Sequence, residues 1–261
     1  MREPSGSLDY EAIYDTLTDT YDEDVFGILA AAHELALEQV LRHAPADGIS
    51  AVCDVAVGTG RFMEDLAQRF PDASLSGLDI SGRMLAQARR RLPGLQAFQA
   101  DARGATGYVG DGSMELTIAH FVMSYVGPAE LLSELNRLTA PGGICSLANS
   151  TYESLAAMQR ASRRCLSEAQ IRAHSDMPLT TAEMERLVAA AGFEVVDSAT
   201  LRKLVRFESF EELRDWGLRS GFLTTFFESL PDSQVQALRQ IAGVFPLEDH
   251  FQGTFIVGRK P

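Results

Sequence analysis

The stretch Val52-Cys53-Asp54-Val55-Ala56-Val57-Gly58-Thr59-Gly60-Arg61-Phe62 constrains this chain more than any other. It opens as a short apolar run of strand type and turns at two glycines. From Phe62 the apolar residues Phe62, Met63, Leu66, Ala67 and Phe70 recur three and four apart, the period of a helix. Strand, tight turn and helix in this order make the first unit of a nucleotide-binding α/β sheet. Gly58 and Gly60 let a ligand approach the backbone where a Cβ would collide.

Two ligand classes compete for such a loop. A dinucleotide motif, G-x-G-x-x-G, needs a third glycine where helix packs on strand, and here that position is the large Met63. In the other register Asp54, Ala56, Gly58 and Gly60 read D-x-A-x-G-x-G. This resembles the first motif, D/E-x-G-x-G-x-G, of the class I S-adenosylmethionine (SAM)-dependent methyltransferases. The departure is Ala56, which adds one methyl group. A glycine loop taken alone is equally an ordinary strand-to-helix turn.

Further motifs follow at βα spacing. A second strand, Leu75 to Ile80, ends on Asp79, about twenty residues beyond the loop, where an acid accepts bonds from ribose hydroxyls. A third lies near Leu95 to Gln99 and leads into Ala100-Asp101-Ala102. A fourth runs from Met114 to Phe121, and Leu138-Thr139-Ala140-Pro141-Gly142-Gly143 is similar to the family's L-x-P-G-G turn before strand five. The close resemblance covers residues 48 to 149. It implies SAM as cofactor, held by Asp54, Ala56, Gly58, Gly60, Asp79, Ile80, Asp101, Ala102, Ala119 and His120, with Asp101 and its neighbour at the adenine. Each acid singly is as readily a solvated strand-end charge; their joint order carries the reading.

The 261 residues, 46% of them hydrophobic, suit one α/β domain with an elaboration. The expected fold is a Rossmann-like seven-stranded sheet with its last strand antiparallel, helices on both faces and a helical substrate cap. The expected boundaries are an N-terminal lid over 1–23 and a methyltransferase domain over 24–261, with cap insertions at 150–179 and 208–248. A net charge of −13 argues against nucleic acid, which needs clustered Lys and Arg. Three cysteines, Cys53, Cys145 and Cys165, form no C-x-x-C pair and point to a reducing cytoplasm. No apolar run reaches membrane-spanning length, and no signal-peptide pattern opens the chain. The expected protein is monomeric or homodimeric.

Met1 to Ser7 is polar and reads as disordered. Residues 8 to 23 carry Tyr10, Tyr14 and Tyr21 among six acids, and resemble the aromatic lid of small-molecule methyltransferases; the alternative is an amphipathic helix with its rings in the core. Helices are expected over Val25 to Leu41, Gly82 to Leu92, Ala129 to Leu138, 150 to 172, Glu183 to Ala191, Glu208 to Ser220 and Asp232 to Ile241. Arg83, Arg89, Arg90 and Arg91 give the second a basic, solvated face. His33 and His43 have no partner at ligand spacing, which argues against a metal site. Phe193 to Val196 with Leu201 to Phe207 supply strand six, and His250 to Lys260 alternate as the last strand.

SAM brings its own electrophile, so the protein need only align a nucleophile. His120, just past strand four, and Tyr125 are the candidate catalytic residues; His120 is either a general base or a wall of the cofactor pocket. The C-terminal third, with Arg206, Phe207, Phe210, Trp216 and Phe222, is diffusely similar to the malonyl-carrier-protein O-methyltransferases and the trans-aconitate methyltransferases. That similarity implies a carboxylate acceptor, free or carrier-bound. Tyr14, Tyr21, Arg206 and Trp216 are the candidate substrate contacts, and Arg160, Arg163, Arg164, Arg202 and Arg206 the candidate carboxylate clamp. The rivals are methylation of a hydroxyl, amine or carbon with His120 as base, and a protein of this fold that binds or rearranges a ligand without transfer.

Overall fold

The computed structural model describes residues 8–172, 177–178, 180–241 and 243–261. The polar start, Met1 to Ser7, and part of the 150–179 insertion lie outside the described residues. Seven strands form one sheet in the order β3-β2-β1-β4-β5-β7-β6. They are β1 (Ala51–Asp54), β2 (Ser74–Asp79), β3 (Gln96–Gln99), β4 (Met114–His120), β5 (Thr139–Ser150), β6 (Glu194–Phe207) and β7 (Leu247–Arg259). The first five are parallel, and β7 is inserted antiparallel between β5 and β6. This is the expected Rossmann-like sheet.

The alternation of strand side chains assigns each residue to a face. Val52, Leu116, Ile118 and Ile144 point to one side. There they meet Ala36 and Val40 of α2 (Ile28–His43), Met63 and Leu66 of α3 (Arg61–Arg69), and Leu85 and Ala88 of α4 (Gly82–Arg91). Cys53, Val55, Ala119, Cys145 and Leu147 point to the other side. They meet Leu131 and Leu135 of α6 (Pro128–Leu138) and Met184 and Val188 of α9 (Thr181–Ala190). Burial pushes the Cys53 and Cys145 thiols up to about 12, so both behave as small apolar side chains. The remaining helices before β5 are α1 (Tyr10–Leu17) and the single turn α5 (Met123–Val126).

Local chemistry sets the helix ends. Ser81 Oγ accepts from Met84 N at 3.1 Å to start α4, Pro128 occupies the tolerated first turn of α6, and Thr180 Oγ1 accepts from Glu183 N at 3.2 Å to start α9. The expected Val25 to Leu41 helix begins later. Asp24 accepts from Ile28 N and Ala30 N, Gly27 turns left-handed ahead of the first turn, and Val25 is left exposed.

Three expectations change in the C-terminal half. The turn at Pro141-Gly142-Gly143 lies within the start of β5, because the strand bulges there; a Cβ on Gly143 would stand 2.9 Å from Ala140 O. The helix expected over 150 to 172 is two short pieces, α7 (Ala156–Ser162) and α8 (Glu168–Arg172). Strand six is continuous, since β6 and β7 pair from Glu194↔Arg259 to Phe207↔Leu247. β5 leaves this hairpin at Ser150↔Gly253, so its far end projects past the sheet. The projection carries the cap: α7, α8, α10 (Phe210–Arg219), α11 (Thr224–Ser229) and α12 (Asp232–Arg239). The cap has a separate aromatic core of Phe207, Phe210, Trp216, Phe226, Phe227 and Phe251. No helix among the described residues is long and apolar enough to cross a membrane.

Candidate active site

The strand order reverses between β1 and β4, and a cavity of about 500 Å³ opens at their carboxyl ends. Its wall contains Ala56, Gly58, Asp79, Ile80, Asp101, Ala102, His120, Tyr14, Tyr21 and Tyr125 from the sequence-derived set. Tyr10, Glu11, Met84, Arg103, Phe121 and Val122 join them. Tyr10 belongs to the aromatic segment 8 to 23 marked by the sequence, whereas Glu11, Met84 and Arg103 carry no motif of their own, and only nearness to Tyr10, Asp79 and Asp101 along the chain marks them.

Asp79 is the centre of the loop. Its Oδ2 accepts from Gly58 N at 2.8 Å and its Oδ1 from Ser81 N at 2.9 Å. Burial pushes its carboxyl up to about 6 against the pull of these two N–H groups. A carboxylate has about four acceptor sites, so a ribose diol can still donate to it. Asp101 is gripped by Arg103, whose Nε and Nη2 reach it at 2.8 and 2.6 Å; this fork holds its carboxyl below the ordinary value.

Five residues of the sequence-derived set lie away from the cavity wall. Asp54 is buried beneath the loop, with Oδ1 accepting from Ala56 N at 3.1 Å, and burial pushes its carboxyl up to about 7. Gly60 has φ 78° and a Cβ there would come within 3.1 Å of Ala88, so it serves close packing of α3 on α4. Ala119 is buried in the core under α6. Trp216 packs in the cap core, 5.3 Å from Phe207 and 5.8 Å from Phe26 between ring centroids. Arg206 is exposed on the projecting hairpin and pairs with Glu208 at 2.7 Å and Glu248 at 2.9 Å, because β6 alternates and Val205 and Phe207 take the inward positions. Arg163 likewise pairs with Glu168, and Arg160, Arg164 and Arg202 are exposed. None of the five clamp arginines lines a cavity beside the fold's switch point.

The acids of residues 8 to 23 dock this segment on α4. Asp15 accepts from Ser81 Oγ at 2.5 Å, and Asp19 from Arg83 at 2.8 Å. Asp22 accepts from Thr59 Oγ1 at 2.8 Å and from Arg91 at 2.9 Å, while Arg91 also donates to Thr59 O. The basic face expected to be solvated is therefore partly a lid receptor. Thus anchored, Tyr14 meets Tyr21 and Tyr125 edge-on at 6.2 and 5.8 Å, and Tyr10 meets Tyr125 at 5.2 Å.

His120 closes the inner end of the cavity. Its Nε2 lies 3.0 Å from Ser146 Oγ and its ring 4.6 Å from that of Phe62. Burial, with His33 behind Phe62, drives the imidazole down to about 3, so it is neutral at physiological pH. Phe121 follows at φ 57°, a strained value for a side chain of this size, with its N–H donating to Ala148 O. Phe121 and Tyr125 belong both to this cavity and to a second one of about 100 Å³ beneath the cap. Ser124, Asn149, Met158, Phe222, Thr225 and Phe251 line the second compartment. Tyr125 Oη donates to Gly221 O at 3.1 Å, and Asn149 Nδ2 to Ser124 Oγ at 3.1 Å.

The methyltransferase domain family matches residues 52–143. Two curated relatives carry the name trans-aconitate 2-methyltransferase. The protein of Azoarcus sp. (strain BH72) is 32% identical over 49% of this chain and 50% of its own. That of Paracidovorax citrulli (strain AAC00-1) is 37% identical over 44% and 43%. The chain thus spans about half the length of the curated relatives it matches. Among solved structures, the [4+2]-cyclase SpnF is similar at 17% identity and TM-score 0.61, covering 99% of this chain and 98% of that one. Geranyl diphosphate C-methyltransferase from Streptomyces coelicolor A3(2), in complex with S-adenosyl-L-homocysteine, matches at 16% identity and TM-score 0.57 over 90% and 80%. The chain has the class I methyltransferase fold, and its residues 52–143 match the methyltransferase domain family.

Proposed function

We propose that this chain transfers a methyl group from SAM to a small-molecule acceptor, and that the accepting atom is a carboxylate oxygen. The larger cavity fits the cofactor: its volume suits a nucleoside, Asp79 keeps acceptor sites for a ribose diol, and the tyrosine lid covers the opening. When bound, SAM supplies an electrophilic methyl group on a cationic sulfur.

The observation that carries the carboxylate reading is the state of His120 in the larger cavity and of Tyr125 at the junction of the two. His120 has one ring nitrogen engaged by Ser146 and is too weak a base to take a proton from a phenol or alcohol. Tyr125 gives its proton to Gly221 O, and burial raises its phenol above the ordinary value. An acceptor here must arrive already nucleophilic, as a carboxylate is at neutral pH. The names of the curated relatives support the same class. The residues of the junction then orient the acceptor and exclude water, while Tyr14, Tyr21 and Tyr125 wall the reacting centre.

The test uses methyl-labelled SAM with a panel of acids, phenols and amines. Methyl esters release labelled methanol in mild alkali, whereas ethers and N-methyl groups do not. Alkali-labile label with S-adenosylhomocysteine as co-product is the expected result. Alkali-stable product would move the acceptor to a hydroxyl, amine or carbon. SAM binding without S-adenosylhomocysteine for any acceptor would favour the non-transferring reading.

A further inference from the structure

We infer that the compartment beneath the cap selects a monocarboxylic acid with a compact apolar tail, its single carboxylate held at the junction by the hydroxyls of Thr225 and Ser124. This rests on the carboxylate reading above and deepens it.

The first support is charge. Among the described residues lining the compartment there is no Asp, Glu, Lys, Arg or His. One carboxylate at the junction would have a counter-charge in the cofactor's sulfonium. A second carboxylate, deeper in the compartment, would be taken from water with no counter-charge among the described lining residues, at a cost of several kcal/mol. The second support is the tail's environment. Phe121, Phe222, Phe251 and Met158 supply an apolar wall, with Phe222 packed 4.6 Å from Phe251 and 5.4 Å from Phe121. The volume, about 100 Å³, is somewhat smaller than a cavity of about 150 Å³ that holds benzene.

The third support is a buried hydroxyl without a well-formed hydrogen bond among the described residues. Thr225 is 8% exposed and lines this compartment; its Oγ1 stands close enough to Tyr125 to pull that phenol's pKa down, but no donor or acceptor meets it in good geometry. Such an orphan costs free energy unless something completes it. Ser124 Oγ accepts from Asn149 and keeps its own proton to donate. Both hydroxyls flank Tyr125, at the mouth toward the cofactor cavity. A carboxylate there accepts from them through one oxygen and attacks with the other. The attacking oxygen's electron pair forms the new O–CH₃ bond as the CH₃–S bond breaks with its pair left on sulfur. Anion and cation are neutralised together and no proton moves. A compartment without fixed charge favours that loss of charge in the transition state.

The test titrates butyrate, isovalerate and trans-aconitate calorimetrically into the full chain saturated with sinefungin, which carries an ammonium in place of the methylsulfonium. The monoacids should bind at least tenfold more tightly than trans-aconitate, and isovalerate should yield an alkali-labile methyl ester with SAM. Thr225→Val should weaken isovalerate about tenfold and leave sinefungin binding unchanged, and Thr225→Ser should restore it. Equal or tighter binding of trans-aconitate overturns this inference and leaves the carboxylate reading standing. Indifference of isovalerate to Thr225→Val overturns the assigned contact. If no acid binds or reacts while a phenol or amine is methylated, the carboxylate reading fails and this inference with it.

Discussion

The cavity under the tyrosine lid has Asp79, Asp101, Glu11 and Arg103 in its wall; the compartment under the cap has aromatic rings, hydroxyls and amides. The two meet at Phe121 and Tyr125. The charged cavity is made where parallel strands end, and its carboxylates are held by neighbouring backbone N–H groups: Asp79 by Gly58 and Ser81, Asp101 by Arg103. Its contacts are mostly short in sequence. The uncharged compartment is made by side chains brought from β5, α7, α11 and β7, on a hairpin that leaves the sheet. Charge sits where backbone dipoles can support it, and the cap, which offers few, is lined with neutral groups. On the function proposed above, one pair of rings, Phe121 and Tyr125, separates the cofactor's polar chemistry from the acceptor's apolar recognition.

Four measurements bear on that contrast. The largest effect is expected from Phe207→Ala, which empties a fully buried position in the cap core; stability should fall by about 3–5 kcal/mol in chemical denaturation. Cofactor titrated into the folded fraction should still bind, since Phe207 is not in the charged cavity's wall. Loss of both together would show that the two regions are not separable.

Acidification gives the next effect. His33, driven down to about 4 by burial and Arg61, and His120, at about 3, are neutral in the fold, so stability is lost as pH falls below 6.5 toward those values. Asp54, raised to about 7, works in the opposite sense: its contribution is present at low pH and is lost as pH rises through 7. Asp79, raised to about 6, adds to it. The parent should therefore change little in stability between pH 7 and 5. Asp54→Asn keeps an acceptor for Ala56 N but cannot gain the proton. It should lose about 2 kcal/mol more than the parent over that interval. Parallel pH profiles for the two proteins would refute the assignment.

Gly58→Val forces a β-branched residue to φ 54° in the wall of the charged cavity. The left-handed backbone costs such a residue about 1–2 kcal/mol of stability, and the branched side chain takes up ligand space in the cavity wall, so SAM affinity should fall roughly tenfold or beyond, with little change in acceptor binding. Calorimetry with each ligand separates the two. The smallest effect is expected from His120→Asn. If no proton leaves the acceptor, the single-turnover rate at saturating SAM should stay within about tenfold of the parent and keep its pH profile. A loss of about a hundredfold, with disappearance of a pH limb, would restore His120 as base and remove the carboxylate assignment.

The parallel half was largely legible in the sequence because its signals are local. The Asp54–Gly60 loop, the acid ending β2 and the alternation of Val52 with Cys53 follow from side-chain period and turn chemistry alone. The same locality misled at Gly60 and Ala119. A motif names residues near a ligand without saying which of them face a neighbouring helix or the core. The chemistry of the arginines in the C-terminal third fits a carboxylate clamp and a solvated helix exterior equally. The pleat of β6 sends Arg206 outward to Glu208 and Glu248, and no local pattern reports which way a half-exposed edge strand turns.

Sequence by itself determined the order of strands and helices, the crevice at the reversal of strand order, and the loop and acid that meet there. Each of these depends on residues a few positions apart. Tertiary structure alone decided three things. It brought the acids of residues 8 to 23 onto the arginines of α4, engaged His120 with Ser146, and left the compartment beneath the cap without a charge among its described lining residues. These contacts join residues far apart in the chain. Which side chains pair across such distances is set by how packed faces align in three dimensions, and no periodicity in the chain encodes it.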